Sequence, residues 1–366
     1  MKGLLRNLLF ITVPVILILI VFLEIFFRYV IPASSPPRGY YDEEEMIHRY
    51  DPSRENGIVT IGRLAEIRIK WHINNWGWNY PIDYHLGKQR LIAVIGDSYV
   101  EGLHVDTGKN YPFLLREKLF PDYEVFAFGR SIYPLSQYLH VSRYVKRHFN
   151  PDILIFNVVY NDFDESIYEL CPKNQIFMQV SMSESADLSE RLTEPGNTSA
   201  RHSPAKAFFR DNSAFIRYLV YNLQARHIIR NFGKKRPHDK ERYEENIDYK
   251  RVMQNRDLIE KATDYIIGTI MEENRDKRVI FLMDAPRKSI YESALSKSNV
   301  IWINKMMGDI CAGYDAEYID LTCHMARDYE KNGIKFNSEI DWHYNEYGHQ
   351  FVAGVLYGYL TGHLTE

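Results

Sequence analysis

Short apolar runs without polar alternation recur along the chain at 91–95, 124–127, 153–159, 279–283 and 317–321. Strands buried on both faces read this way, because neither face needs polar side chains. Between and after them the spacing turns helical, at 111–119, 135–147, 257–271, 300–312 and 346–360. Strand alternating with helix predicts a parallel sheet covered on both faces, a three-layer α/β domain. Two stretches break the rhythm. Residues 40–88 are aromatic and polar with little clean periodicity, and 165–256 show no strand of the core sheet. Within the second, 181–200 reads as a polar, Ser-rich loop and 211–230 as an amphipathic helix bearing Phe215, Ile216, Leu219, Val220 and Leu223 on one face. A charged run follows at 234–251. The interval is expected to be an insertion capping the domain near its active face, or a solvated helical decoration.

The N-terminus has its own pattern. Lys2 and Arg6 precede residues 8–27, where Glu24 is the only charge. As a helix that run is long enough to cross a bilayer core, and Pro14 is tolerable in such a helix. Cleaved signal peptides have shorter apolar cores and small residues at the junction, whereas Ile25, Phe26, Phe27 and Tyr29 are bulky. An uncleaved anchor is therefore expected, with a cleaved signal or a buried core helix as alternatives. Lys2 and Arg6 favour a cytoplasmic N-terminus and an exported remainder, periplasmic or extracellular. Ala33-Ser34-Ser35-Pro36-Pro37 reads as an extended linker. The domain reading is thus 1–31 anchor, 32–88 linker and lead-in, 89–164 first part of the α/β domain, 165–256 insertion, and 257–366 second part.

Composition sharpens this. With 366 residues, 45% hydrophobic and 25% charged, disorder and coiled coil are excluded. A net charge of −3 argues against a nucleic-acid binder. Three cysteines, Cys171, Cys311 and Cys323, form no CxxC, and neither a disulfide framework nor a cysteine zinc site is expected. HExxH, P-loop and GxGxxG motifs are absent, so no metal, nucleotide or flavin cofactor is expected. Asn197-Thr198-Ser199 has the form of a glycosylation sequon, and Lys234-Lys235-Arg236 reads as a solvated basic cluster among acids.

Four blocks could carry chemistry. Gly96-Asp97-Ser98 follows a buried strand, which places Ser98 where open α/β sheets bind ligands. Position 100 is Val, so the G-x-S-x-G elbow of α/β-hydrolases fails. Gly129 and Asn161-Asp162 each follow another strand and could donate hydrogen bonds to a developing oxyanion; alone, each is more often a turn residue. Asp341-Trp342-His343 precedes the last helix, and an aspartate two residues from a histidine can orient a base from one loop. Asp97 is expected to satisfy turn amides, and His349 to pack under the final helix.

Taken together and in this order, the blocks resemble the SGNH/GDSL hydrolase family. Val94-Ile95-Gly96-Asp97-Ser98-Tyr99-Val100-Glu101-Gly102 is similar to its nucleophile block. Val125–Gly129 is similar to its glycine block, and Pro151–Ile155 leading to Asn161-Asp162 to its asparagine block. Asp341-Trp342-His343-Tyr344-Asn345 with Gly348-His349 resembles its terminal block. Asn75-Trp76-Gly77-Trp78 resembles a lead-in of membrane-linked members. The resemblance covers roughly 72–164 and 277–360. It implies a flavodoxin-like α/β/α fold, a nucleophilic Ser98, a base His343 oriented by Asp341, and an oxyanion hole of the Ser98 amide, the Gly129 amide and the Asn161 side chain. It departs at Ala127, where an asparagine is common, at Ile132, where a second glycine is frequent, at Val159 in place of a glycine, and in the one-residue gap between Asp341 and His343. The implied activity is a serine esterase or O-acyltransferase, acting on an acyl ester of envelope or extracellular polysaccharide, acetyl being the expected acyl group. A multi-pass membrane acyl-transfer partner is implied for the transferase case. The alternative is a non-catalytic scaffold on the same fold.

Overall fold

The computed structural model describes residues 8–87, 89–172, 177–183, 187–192, 204–225, 243–244 and 247–362. Lys2, Arg6, the sequon at Asn197 and the cluster Lys234-Lys235-Arg236 lie outside the described residues. The chain divides into two units, residues 1–37, 56–70 and 197–238 in one and the remainder in the other.

The larger unit is built on five parallel strands: β1 (Arg90–Gly96), β2 (Tyr123–Gly129), β3 (Ile153–Val158), β4 (Arg278–Met283) and β5 (Glu317–Asp320). Their spatial order is β5-β4-β3-β1-β2. This is the flavodoxin-like order, in which the connection reverses between β1 and β3 and opens a crevice at their carboxyl ends. Every residue of β3 is buried, and β1 is exposed only at Arg90, which is why these strands show no alternation.

The covering helices are α1 (Ser98–Glu101), α2 (Tyr111–Leu119), α3 (Leu135–Phe149), α4 (Asn161–Glu165), α5 (Arg256–Glu273), α6 (Arg287–Tyr291), α7 (Ile301–Gly313), α8 (Leu321–Asn332) and α9 (Glu346–Thr361). Helices α2 and α9 pack on one another, with α2 against β2, while α3 packs on β1 and β3 and α5 lies against α3 and α7. The result is three layers, α/β/α. The hairpin Gly39–Asp42 with Ile47–Tyr50 belongs to the larger unit, whereas the hairpin Asn56–Ile61 with Ile67–His72 falls, up to Lys70, in the smaller one. The lead-in then turns at Asn74, whose Oδ1 accepts from the Trp76 and Trp78 amides at 3.0 Å each. Trp78 is fully buried edge-on to Phe128.

The smaller unit contains the apolar helix Val13–Tyr29 and part of the insertion. Residues Phe10–Tyr29 have mean hydropathy 2.9 and are almost wholly unburied, and length and composition would suffice to cross a membrane. The helix expected from residue 211 instead breaks at Ser213, which is extended and caps a new turn by accepting from the Ile216 amide at 3.2 Å. A helix Pro204–Asn212 precedes the break; the end of the expected helix, 226–230, lies outside the described residues.

Candidate active site

Ser98 is the first residue of α1, directly beyond β1 at the point where the strand order reverses. The turn is made by Asp97, whose Oδ1 accepts from the Tyr99 amide at 2.9 Å as the helix N-cap. Gly96 is needed here for space: a Cβ would lie 2.4 Å from Val100 Cγ2 and 3.2 Å from the Asn157 carbonyl. The same holds at Gly129, where a Cβ would fall 2.3 Å from the Glu101 amide nitrogen. Both glycines let β1 and β2 close directly onto the serine-bearing helix. The far end of α1 is braced as well. Asn79 donates to the Glu101 carbonyl at 2.8 Å, and the buried Glu101 carboxylate receives Tyr50 and Ser131 hydroxyls beside Arg130.

His343 comes from the loop before α9, and its Nε2 lies 2.8 Å from Ser98 Oγ. Its Nδ1 lies 2.6 Å from Asp341 Oδ1, which also accepts from the His343 amide at 2.9 Å. The short gap between the two residues is what lets one carboxylate oxygen hold both the ring and the backbone of the histidine. With Asp341 an acceptor, Nδ1 carries the proton and Nε2 is left to accept from Ser98. Burial would raise the Asp341 carboxyl, but the His343 hydrogen bonds and the His104 and His343 rings outweigh it and hold it below its ordinary value. Ser98 Oγ also lies 3.2 Å from Asp97 Oδ2. Burial pushes Asp97 up to about 6, against the pull of the Tyr99 amide.

Several residues that shape the site carry no motif. His104 stacks flat on His343, with centroids 3.5 Å apart and planes 5° apart, and its Nε2 stands 3.9 Å from Asp341 Oδ1. Burial and the neighbouring His343 keep His104 neutral, its pKa well below that of a free histidine. The donor atoms of His104, Asp341 and His343 lie within 4.8 Å of one another. Parallel stacked rings, however, confine their lone pairs to separate parallel planes, and both His343 nitrogens are engaged. His343 and Asp341 are hydrogen-bonded in line with Ser98 rather than set as a chelate, and His104 covers the ring without joining that line.

Behind the loop, Arg287 Nη1 donates to the Trp342 carbonyl at 2.7 Å, while its Nη2 reaches the Tyr99 hydroxyl and, at 3.1 Å, Asp284 Oδ2. Asp284 also receives the Tyr344 hydroxyl at 2.7 Å, and the Tyr99 hydroxyl meets the same Trp342 carbonyl at 3.2 Å. This network ties the residues on either side of His343 to the carboxyl end of β4. Arg287 and Asp284 are both almost fully buried. Arg287→Leu is expected to strand the Asp284 charge, destabilising the fold by about 3–5 kcal/mol. It should also lower kcat by about a hundredfold through a displaced His343. Arg287→Lys should recover much of the stability and less of the rate; thermal melts beside kcat would read both, and a variant unaffected in either would leave the network no role.

Of the oxyanion candidates, Gly129 ends β2 beside Gly96 in register, and Asn161 opens α4 beyond β3. The Asn161 amide donates to Glu165 Oε2 at 3.4 Å along its own helix. Burial first, then Asp164, raises the Glu165 carboxyl to about 7. Ile132, at the position where the resemblance expects glycine, adopts φ of 69°, a left-handed conformation that is strained for a β-branched residue. His349 is buried in α9, and its Nδ1 accepts from the Tyr111 amide at 3.1 Å.

No protein-family model matches this chain, and no curated protein does. Solved structures do match. One is an alpha/beta hydrolase enzyme from the metagenome of Lake Arreo, Spain, at 14% identity and TM-score 0.40, covering 76% of this chain and 97% of that one. A member of the lipolytic protein G-D-S-L family from Veillonella parvula matches at 12% and 0.38, over 74% and 97% of the two chains. An acetyl xylan esterase matches at 13% and 0.39, over 74% and 99%. Likeness at this level transfers no residue's role. The strand order, with Ser98, Gly129, Asn161 and the Asp341–His343 loop at its carboxyl edge, is that of a flavodoxin-like α/β/α fold.

Proposed function

We propose that this chain is a membrane-tethered serine esterase or O-acyltransferase that works through an acyl-enzyme on Ser98. The observation that carries the reading is the continuous relay Ser98 Oγ–His343 Nε2, 2.8 Å, and His343 Nδ1–Asp341 Oδ1, 2.6 Å. In it His343 takes the serine proton as Oγ attacks the acyl carbon, Asp341 stabilises the imidazolium that forms, and the proton is returned to the leaving alkoxide. Water or a sugar hydroxyl then accepts the acyl group by the reverse sequence. The Ser98 and Gly129 amides and the Asn161 side chain are the donors for the oxyanion, the last by releasing Glu165.

An acetylated carbohydrate is the substrate class we favour. Trp342, between the acid and the base, has its carbonyl pinned from two sides while the residue as a whole is 57% exposed. A large exposed aromatic side chain beside a nucleophile is informative, since the apolar C–H face of a sugar ring stacks on an indole. Export through residues 8–27, with the N-terminus cytoplasmic, would put this site where polysaccharide is found. The scaffold reading is disfavoured by the aligned relay, for which a binding subunit has no use.

A fluorophosphonate probe should label the folded protein at Ser98 and nowhere else. Asn161→Ala should lower kcat on an aryl acetate by about 10²–10³-fold, with KM nearly unchanged, because the donor acts on charge that develops in the transition state. Absence of a Ser98 adduct on folded protein would return the chain to the scaffold reading. Full kcat in the alanine variant would remove Asn161 from the oxyanion hole. Partition of the acyl group between acetate and an added oligosaccharide separates esterase from transferase.

A further inference from the structure

The smaller unit gives the insertion a job that the sequence leaves open. Glu24, the one charge within residues 8–27, accepts from Ser213 Oγ at 2.8 Å and from the Ala214 and Phe215 amides at 2.9 and 3.1 Å. Arg28, which pairs with Glu24, donates to the Asn212 carbonyl at 3.0 Å. Phe27 stacks on Tyr218 with centroids 3.8 Å apart. Residues 212–218 are therefore fixed to one stretch of the apolar helix, 24–28. A carboxylate in a membrane span is costly unless its oxygens are satisfied, and here the insertion supplies three of the donors.

That attachment sets a depth. At a rise of 1.5 Å per residue, Glu24 lies about 7–8 Å inside the Tyr29 end of the span, among the upper acyl chains just below the headgroups. The helix Pro204–Asn212 reaches that attachment carrying Phe208 and Phe209, 62% and 57% exposed, and Val220 beyond it is 47% exposed. Exposed aromatics on a helix that ends beside the span are what interfacial helices present to lipid.

We propose that the helix Pro204–Asn212 and the segment through Val220 lie on the bilayer that the anchor crosses, with Phe208, Phe209 and Val220 seated among the lipid headgroups and upper acyl chains. The insertion is then a membrane-surface element hung on the anchor's own carboxylate. The proposal rests on the reading of residues 10–29 as a membrane span, and the test separates the two.

The full chain, with Cys171→Ser and Cys323→Ser and the buried Cys311 left in place, is reconstituted into phosphatidylcholine–phosphatidylglycerol vesicles. Single cysteines at Leu17, Phe208 and Lys305 carry an environment-sensitive fluorophore; Lys305 is on an exposed polar face. The expected result is that the label at 208 is quenched by lipid bearing a shallow nitroxide, and is shielded from iodide several-fold relative to 305. A label at 17 quenched by lipid while 208 is as open to iodide as 305 overturns the proposal and leaves the anchor standing. A label at 17 open to iodide overturns the anchor and the proposal with it. Should Phe208→Cys fail to fold, Val220→Cys takes its place under the same criteria.

Discussion

Replacing His343 by alanine is expected to lower kcat by about 10⁶-fold and to abolish fluorophosphonate labelling, with the melting temperature little changed. The triad members act as a unit, so loss of the base removes nearly all of what the relay provides. His343 is partly exposed on a loop and fills no core volume, which is why the fold should survive. His349, six residues on, should behave in the opposite way. Its ring is buried against Tyr111 and Tyr344, and His349→Ala would leave the Tyr111 amide unpaired as well as open a cavity. The two losses together should cost several kcal/mol of stability, while the rate of the folded fraction holds.

The pH dependence gives an independent check on His349. Burial, with the neighbouring His104 and His343 rings adding to it, lowers its pKa to about 3. The unfolded chain takes up this proton near pH 6.5 and the folded chain does not, so the stability present above 6.5 is lost as pH falls toward 3. In His349→Gln that loss should shrink by up to about 1.4 kcal/mol per pH unit between the two values. If His349→Ala abolishes labelling of folded protein and His343→Ala does not, the roles exchange.

The sheet was legible because its central strands are buried on both faces and even the edge strand Glu317–Asp320 buries Ile319: each of the five expected runs lies within one residue or two of an observed strand. The helix Leu321–Asn332 was missed, since its polar residues outnumber its core contacts at Leu321, Thr322 and Met325. The hairpins between Gly39 and His72 were missed for a different reason. Ile67-Arg68-Ile69-Lys70-Trp71-His72 does alternate apolar with polar, but its partner and the first hairpin's strands are four to six residues long and half-exposed, and show no such period. In the insertion, Ser213 held the signal for the break, a capping residue ahead of an apolar run, and the continuous apolar face hid it.

At the site, Ser98, Asp341 and His343 could be read together because each is next to a recognisable neighbour in sequence. Arg287, Asp284, Tyr99 and His104 could not. Their contribution is a set of contacts between positions far apart in the chain, and no local pattern marks it. Asp284 alone had a usable signal, since it directly follows the strand Arg278–Met283 at the same edge of the sheet as Ser98 and Asn161. The room that Gly96 leaves for the Asn157 carbonyl is of the same kind, a contact between distant positions that no local pattern marks.

Asp341→Asn should lower kcat by about 10⁴-fold while KM and the position of the histidine ring are kept. An asparagine can donate as well as accept, so it no longer forces the His343 proton onto Nδ1. The tautomer with the proton on Nε2 cannot take one from Ser98. The negative charge that offsets the imidazolium is lost at the same time. The ring itself should stay in place, because His104 covers one face and the Arg287 and Tyr99 donors hold the preceding carbonyl. Stability gives the second readout. The Asp341 carboxyl is held below its ordinary value in the fold, so it contributes stability above the unfolded value that is lost as pH falls through the lowered one. The wild-type protein should therefore be the more stable of the two at neutral pH, and the difference should close in acid. An asparagine variant that keeps kcat within about tenfold of wild type would remove Asp341 from the relay and leave Ser98 and His343 to act as a dyad.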